Sequence, residues 1–205
     1  MISSMLKYKT LSTSLSSSSS SPSLLLKNNN INKLQIIKRI IHGLTINIPK
    51  ESYENERRVA ITPVNVIKLK KAGANINIEN NAGVGSGFSN DMYIKAGANI
   101  VNSDDIWKGE VIAKIRPPTL NEVEKINHHT IISIIQPKQN EEIMKKLISQ
   151  KATVLSLDSL LRTLSRGQAF DVLSSQANVA GYRAVIEAAH QLQRPFAGQM
   201  TAAGK

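Results

Sequence analysis

Residues 111–157 read VIAKIRPPTLNEVEKINHHTIISIIQPKQNEEIMKKLISQKATVLSL. Three short runs rich in β-branched residues stand out, at 111–115, 130–135 and 153–157, each of strand length. Helix signals lie between them. Thr119, followed three residues on by Glu122, makes a capping box. Asn140 precedes Glu141 and Glu142, two acids placed where a helix N-terminus is positive. A strand, a helix, a strand, a helix and a strand within 47 residues is the pattern of parallel strands joined by crossover helices.

The same rhythm runs back toward the N-terminus. Residues 44–48, 74–78 and 98–101 are further strand candidates. Thr62 precedes Pro63, an N-cap followed by proline at the first helical position, and Gly73 closes that helix. A last helix is predicted over about residues 175–194. The fold expected is therefore α/β, a mainly parallel sheet of five or six strands flanked by helices on both faces, Rossmann-like or flavodoxin-like. No internal repeat of solenoid length is present.

Residues 1–43 have a different character. The start, MISSMLKYKTLSTSLSSSSSSPSLLLKNNN, is rich in Ser and Asn. The first acidic residue is Glu51, and residues 1–50 contain seven Lys or Arg. Ile37, Ile40, Ile41 and Leu44 recur at helical spacing on one face. A basic, Ser-rich, acid-free amphipathic leader is the mark of an organellar transit peptide, and a plain low-complexity tail is the alternative. The net charge of +11 resides mostly in the first 50 residues, because residues 51–205 carry nineteen basic groups against fifteen acids. Neither a basic patch nor interleaved aromatics mark the folded part, so a nucleic-acid partner is not expected. Cysteine is absent, which excludes disulfides and thiolate metal sites. No stretch approaches the roughly 20 apolar residues of a membrane-spanning helix.

Five places could carry chemistry. Residues 82–88, AGVGSGF, are not the GxGxxG fingerprint, because the third glycine comes one position early; a flexible turn is expected. Arg57 and Arg58 precede a helix start and could grip a carboxylate or phosphate, although a solubilising surface pair explains them as simply. Lys114 ends a strand beside two prolines, at the kind of strand end where ligands bind in open α/β sheets; a lysine reaching out to water is the alternative. The adjacent His128 and His129 lack metal-binding spacing and read as a solvated turn, so no metal is expected. Gln168, Asp171, Ser174 and Asn178 recur at i, i+3, i+6 and i+10. On a continuous helix they would form a polar stripe able to hydrogen-bond ribose hydroxyls and a carboxamide, while an ordinary surface helix is the simpler reading.

Several segments in order resemble the nicotinamide nucleotide transhydrogenase family, which shares its fold with alanine dehydrogenase. They are IPKE at 48–51, ERRVAITP at 56–63, AGVGSGFSND at 82–91, AGANI at 96–100, KIRPP at 114–118, GQAFDVLSSQANVAGYRAV at 167–185 and MTAAGK at 200–205. The long SSQANVAGYRAV block favours the transhydrogenase side. Alanine dehydrogenases resemble this chain at Arg58 and Lys114, which would contact substrate carboxylate and carbonyl. They also carry a catalytic histidine near the end of the strand at 130–135, where this chain has Gln136. Glutamine cannot accept a proton at neutral pH.

The resemblance implies hydride transfer from NADH to NADP+, coupled to proton movement across the mitochondrial inner membrane, with this stretch on the soluble matrix side. It implies NAD(H) and NADP(H) as cofactors, a homodimer, and further Rossmann, membrane and NADP-binding domains. By motif, Arg162, Gln168, Asp171 and Ser174 would hold the nicotinamide-ribose end, although Arg162 stands six residues before Gln168 where the family's spacing is five. The domain plan expected is a leader over 1–43 and an N-terminal family domain over 44–205, cut before the NAD-binding fold and inactive alone. A soluble oxidoreductase acting on alanine and a non-catalytic fragment are the alternatives.

Overall fold

The computed structural model describes residues 41–161, 163, 165–194, 196, 200 and 202. It divides into two compact units between Ser159 and Leu160. The first holds β1 (Thr45–Ile48), α1 (Pro63–Lys71), β2 (Asn75–Glu79), α2 (Asn90–Lys95), β3 (Asn99–Val101), β4 (Val111–Ala113), α3 (Leu120–Glu124), β5 (Thr130–Ser133), α4 (Glu141–Ser149) and β6 (Thr153–Ser156). The second holds α5 (Ser165–Gln168) and α6 (Val172–Leu192). Among the described residues no helix is long and apolar enough to cross a membrane.

The six strands form one sheet in the order β3-β2-β1-β4-β5-β6, and every neighbouring pair is parallel. The expected fold class holds. Alternation along the strands divides the core into two layers, as a period of two requires. Ile46, Ile48, Ile76 and Ile78 pack with Val66 and Leu69 of α1 and Tyr93 of α2. Ile112 and Ile131 point the other way, into a cluster with Ile106, Trp107, Val123 of α3 and Leu147 of α4. Each buried aliphatic side chain contributes roughly 1.5–3 kcal/mol, so these two layers carry most of the stability.

On the second face, β1, β2 and β3 present asparagines in register: Asn47, Asn77 and Asn99. Asn99 Nδ2 donates to Asn77 Oδ1 (3.2 Å), and Asn77 Nδ2 donates to Asn47 Oδ1 (2.9 Å). Asn47 Nδ2 then donates to the carbonyl of Ile106. A Cβ on Gly109 would collide with the Asn47 amide, so glycine is required there for the chain to approach.

Local signals were met in different ways. The Thr119–Glu122 capping box forms as expected. Thr62 and Asn140 occupy N-cap positions, but neither side chain makes the cap hydrogen bond. Asn140 instead donates to Ile135 O at 2.8 Å, tying the start of α4 to the end of β5. The turn at 82–88 is packed rather than flexible. A Cβ on Gly83 would lie 2.5 Å from the Tyr93 ring, and one on Gly85 would lie 2.9 Å from Arg57 O. Ser86 Oγ also donates to Arg57 O (2.6 Å).

Candidate functional site

The strand order reverses direction between β1 and β4. In open parallel sheets the crevice beyond the carboxyl ends of two such strands is the usual ligand site. Here β1 runs out through Ile48 into Lys50 and Glu51, and β4 runs out through Ala113 into Lys114 and Arg116. Parallel pairing of the two strands therefore brings both exits together.

Charge fills this crevice. Glu51, 8% exposed, accepts from the backbone amides of Ile115 (2.6 Å) and Arg116 (3.3 Å), stitching the β1 exit to the β4 exit. Lys114 is 3% exposed. Its Nζ donates to both oxygens of Glu122, at 2.9 and 2.8 Å, lies 4.0 Å from Glu51 Oε2, and sits 5.9 Å from the Trp107 ring centroid. Glu122 also accepts from Thr119 N, because it is the third residue of the capping box. Glu56 accepts from Arg58 Nε (2.7 Å), from Arg58 Nη2 (2.6 Å) and from Arg116 Nε (2.8 Å). Arg116 in turn lies over Tyr53, 4.7 Å from its centroid. Three cations thus face three carboxylates, and all are supplied by the chain itself.

The electrostatics follow from burial and pairing. Desolvation pushes the Glu51 carboxyl above the ordinary carboxylate range, against the lowering influence of the Ile115 amide, the Lys114 cation and the Arg116 amide. Glu56 goes the other way, held at about 2, first by the Arg58 hydrogen bond and then by that of Arg116, which together outweigh desolvation. Lys114 is therefore no lysine stem reaching for water: its side chain is buried against Glu122. Arg58 stays 40% exposed at its side chain but is tied to the buried carboxylate of Glu56, whereas Arg57 is exposed. Beside the cluster lies a pocket of about 400 Å3, lined by Lys50, Glu51, Glu79, Trp107, Glu122 and Lys125 among others.

A second pocket, about 440 Å3, opens past the ends of β5 and β6, where Gln136 and Asp158 line it. Asp158 accepts from Ile135 N (2.9 Å), Gln136 N (3.1 Å) and Ser156 Oγ (2.6 Å). Burial alone would raise its carboxyl, but these hydrogen bonds bring it below the usual value. Gln136 itself has φ +52, the left-handed region, and its backbone is held there by Asp158. His128 is exposed, and His129 Nδ1 accepts from Asn127 N (2.9 Å).

The nicotinamide-ribose residues inferred from the resemblance lie in the second unit, except that Arg162 falls outside the described residues. Gln168 is the last residue of α5 and is exposed. Residues 169–171 are not helical, so the stripe expected on one continuous helix is interrupted. The cause is Asp171, which caps α6: its Oδ1 accepts from Ser174 N (3.0 Å) and its Oδ2 from Ser174 Oγ (2.6 Å). Asp171 and Ser174 form one hydrogen-bonded unit, and Gln168 lies on a separate short helix. Sequence reasoning missed Glu51, Glu56, Trp107 and Asp158 as site residues and took Glu122 for a cap alone. The rule that singled out Lys114, a polar residue just past a strand end, applies equally to Glu51 and Asp158.

An all-parallel α/β domain of dinucleotide-fold strand order, with its switch-point crevice closed by its own ion pairs, is the class that this geometry defines. The chain belongs to the alanine dehydrogenase/PNT family, whose N-terminal domain matches residues 47–180. It is 44% identical over 163 residues to the NAD(P) transhydrogenase subunit alpha of Haemophilus influenzae, covering 79% of this chain and 32% of that one. Against the same subunit of Cereibacter sphaeroides it is 41% identical, covering 79% and 31%. Alanine dehydrogenase 1 of Staphylococcus aureus is 34% identical, with 77% and 42% covered. The solved transhydrogenase from Sinorhizobium meliloti superposes with a TM-score of 0.72 at 39% identity, over 78% of this chain and 48% of that one. The chain thus spans about a third of the length of the two transhydrogenase subunits.

Proposed function

We propose that this chain forms the N-terminal domain of an NAD(P) transhydrogenase, acting in transfer of hydride from NADH to NADP+. The observation that carries the reading is the self-neutralised crevice. Arg58 and Lys114, the two cations that an amino-acid substrate would need, are already bound by Glu56 and Glu122. Gln136, three residues past the end of β5, offers no base. Direct hydride passage between two nicotinamides requires neither a substrate-carboxylate clamp nor a proton acceptor. The higher identity to transhydrogenase subunits than to alanine dehydrogenase supports the same choice.

The first unit does not fit a dinucleotide in the Rossmann manner, despite its strand order. The β1 exit lacks a glycine fingerprint, and Glu51 places a carboxylate where a pyrophosphate would sit. The second unit fits the nicotinamide-ribose end better. Gln168 presents an amide able to donate and accept, and the Asp171–Ser174 pair presents fixed oxygens to ribose hydroxyls. We assign Gln168, Asp171 and Ser174, with Arg162, to positioning NADH. The nicotinamide supplies the hydride chemistry when bound; the chain's residues orient the ring. The remainder of the NADH site is assigned to a Rossmann domain elsewhere in the assembly, with NADP(H) held on another domain or subunit. Residues 1–43 are assigned to mitochondrial import, residues 44–205 to the family domain, and the assembly to a homodimer on the matrix side of the inner membrane, coupled to proton translocation.

Gln168→Ala in the assembled enzyme tests the reading. Hydride transfer needs close, aligned rings, so single-turnover transfer should slow by about 10- to 100-fold while NADH affinity changes less. An unchanged rate would reduce Gln168 to a wet helix end. Alanine-dependent NAD+ reduction by the wild type would overturn the reaction class. A fusion of residues 1–45 to a fluorescent protein should reach mitochondria, and diffuse cytosolic signal would end that assignment.

A further inference from the structure

We propose that residues 41–43 belong to the mature domain, so that the cut that removes the leader falls N-terminal to Ile41. The cut rests on the import reading above and deepens it, while the boundary of the fold rests on packing alone. Ile41 stands where the leader's amphipathic face and the fold meet. It shares helical spacing with Ile37, Ile40 and Leu44. In the structure it is 1% exposed and belongs to the same buried cluster as Ile46, Leu69 and Ala74, with Leu44 packed half-buried against that cluster. The backbone ties this turn down as well. Gly43 N donates to Gly73 O (2.9 Å), Leu44 N to Ile41 O (3.0 Å) and Asn75 N to Leu44 O (2.9 Å). Gly73, between α1 and β2, has φ +95, and a Cβ there would lie 2.8 Å from His42 Cδ2 and 3.2 Å from His42 Cα. The residues just before β1 are thus clasped onto the α1–β2 connection.

A cut after residue 43, at the full length expected of the leader, would remove a buried isoleucine and two of these three hydrogen bonds. Loss of such a side chain leaves a cavity or exposes its neighbours. Once folded, the turn also resists a cut inside it. Ile41 is buried, the amides of Gly43 and Leu44 are bonded, and a protease needs the chain locally open. The same side chains therefore serve the targeting face before folding and the core after it. The competing account is that Ile41 packs only in the precursor and leaves with the leader.

Two measurements on the full chain decide between them. In the first, the precursor is imported into isolated mitochondria and the N-terminus of the protease-protected product is read by mass spectrometry. A shortened product beginning at or before Ile41 is expected. A product beginning at residue 42 or later, or a protected product still full-length, would overturn the proposal. In the second, the Tm of Ile41→Ala is compared with that of the unsubstituted chain and of Val64→Ala, an exposed apolar control on α1. I41A should melt at least about 4 °C lower, and V64A within about 2 °C. A loss in I41A no larger than that in V64A would overturn the proposal. Should I41A fail to fold, I41V keeps most of the side chain and should melt about 1–4 °C lower, and an unchanged Tm there would count against the proposal. A chain that stays outside mitochondria while I41A loses stability ends the import reading and leaves the fold boundary standing. A chain that enters while I41A is unaffected overturns the boundary and leaves import standing.

Discussion

Lys114→Met keeps the length and apolar stem of the side chain and deletes the ammonium to which Glu122 is bound. Removing one partner of a buried ion pair costs about 3–5 kcal/mol, because the other charge stays buried alone. Two features pull the value toward the lower end. Glu122 keeps the Thr119 amide and is 14% exposed at its side chain, and Glu51 keeps the amides of Ile115 and Arg116. The expected loss at pH 7 is therefore about 3 kcal/mol, read by urea unfolding with an unchanged slope. Lys114→Met combined with Glu122→Gln removes the orphaned charge and keeps the capping-box geometry, so it should recover more than half of that loss. The pH dependence has a definite sign. The Glu51 carboxyl is already raised by burial, and loss of Lys114 removes one of the influences that lower it. A raised carboxyl stabilises the fold at low pH and ceases to do so as pH rises through its folded value. The variant's deficit should thus be largest near neutrality and shrink as pH is lowered toward 4.5, the ordinary value above which Glu51 is raised. A deficit under about 1 kcal/mol, or no recovery in the double variant, would mean that water reaches this pair and that the crevice is not closed as described.

Glu56→Gln should cost about 2 kcal/mol at pH 7, a value discounted because the paired arginine side chains are 40% exposed. Glu56 is lowered from 4.5 to about 2, so its contribution is present above pH 4.5 and lost as pH falls toward 2; wild-type and variant unfolding curves should converge over that window. Asn77→Ala breaks both rungs of the asparagine ladder and should cost about 1–2 kcal/mol in urea unfolding, well above the exposed Asn65→Ala control on α1. Asp171→Ala should fray the first turn of α6, seen as faster amide exchange at Ser174 and a loss of about 1 kcal/mol, while Asp171→Asn should retain most of both.

The sheet was readable because nothing competed with its pattern. Runs such as VIAKI and TIISII are too short for buried helices, and the capping box at Thr119 leaves one helix start between them. Strand order was not readable, since alternation of strand and helix specifies parallel pairing but not which strand lies beside which. Cap chemistry was readable only where side chain and backbone agreed. Asn140 has the residue type of an N-cap, yet its amide bonds Ile135 O across the β5–α4 connection, a tertiary demand that local sequence does not encode. The turn at 82–88 misled for a related reason. Glycine suggests freedom, but Gly83 and Gly85 are glycines because Tyr93 and the Arg57 backbone leave no space for a Cβ.

The site was half legible, and the missing half was its acids. Arg58 and Lys114 were visible from their positions at a helix start and a strand end, as places where an anion could be held. The anions that hold them come from two and eight residues away: Glu56 through a tight local fork, and Glu122 through the first turn of α3. Neither pairing has a sequence signature, because a glutamate at the third position of a helix reads fully as a cap. One side chain does both jobs. Its Oε2 accepts from Thr119 N and from Lys114 Nζ, so the sequence feature that starts α3 is also the one that neutralises the crevice. This double use explains why the crevice has the position of a ligand site without its open charges. It also makes the reading sensitive to one residue: if Glu122 matters only as a cap, Gln at that position should be nearly neutral in stability. If it matters as the charge opposite Lys114, E122Q should lose on the order of 2–3 kcal/mol with the helix start intact, since a buried ammonium would then face only an amide and a carboxylate 4.0 Å away.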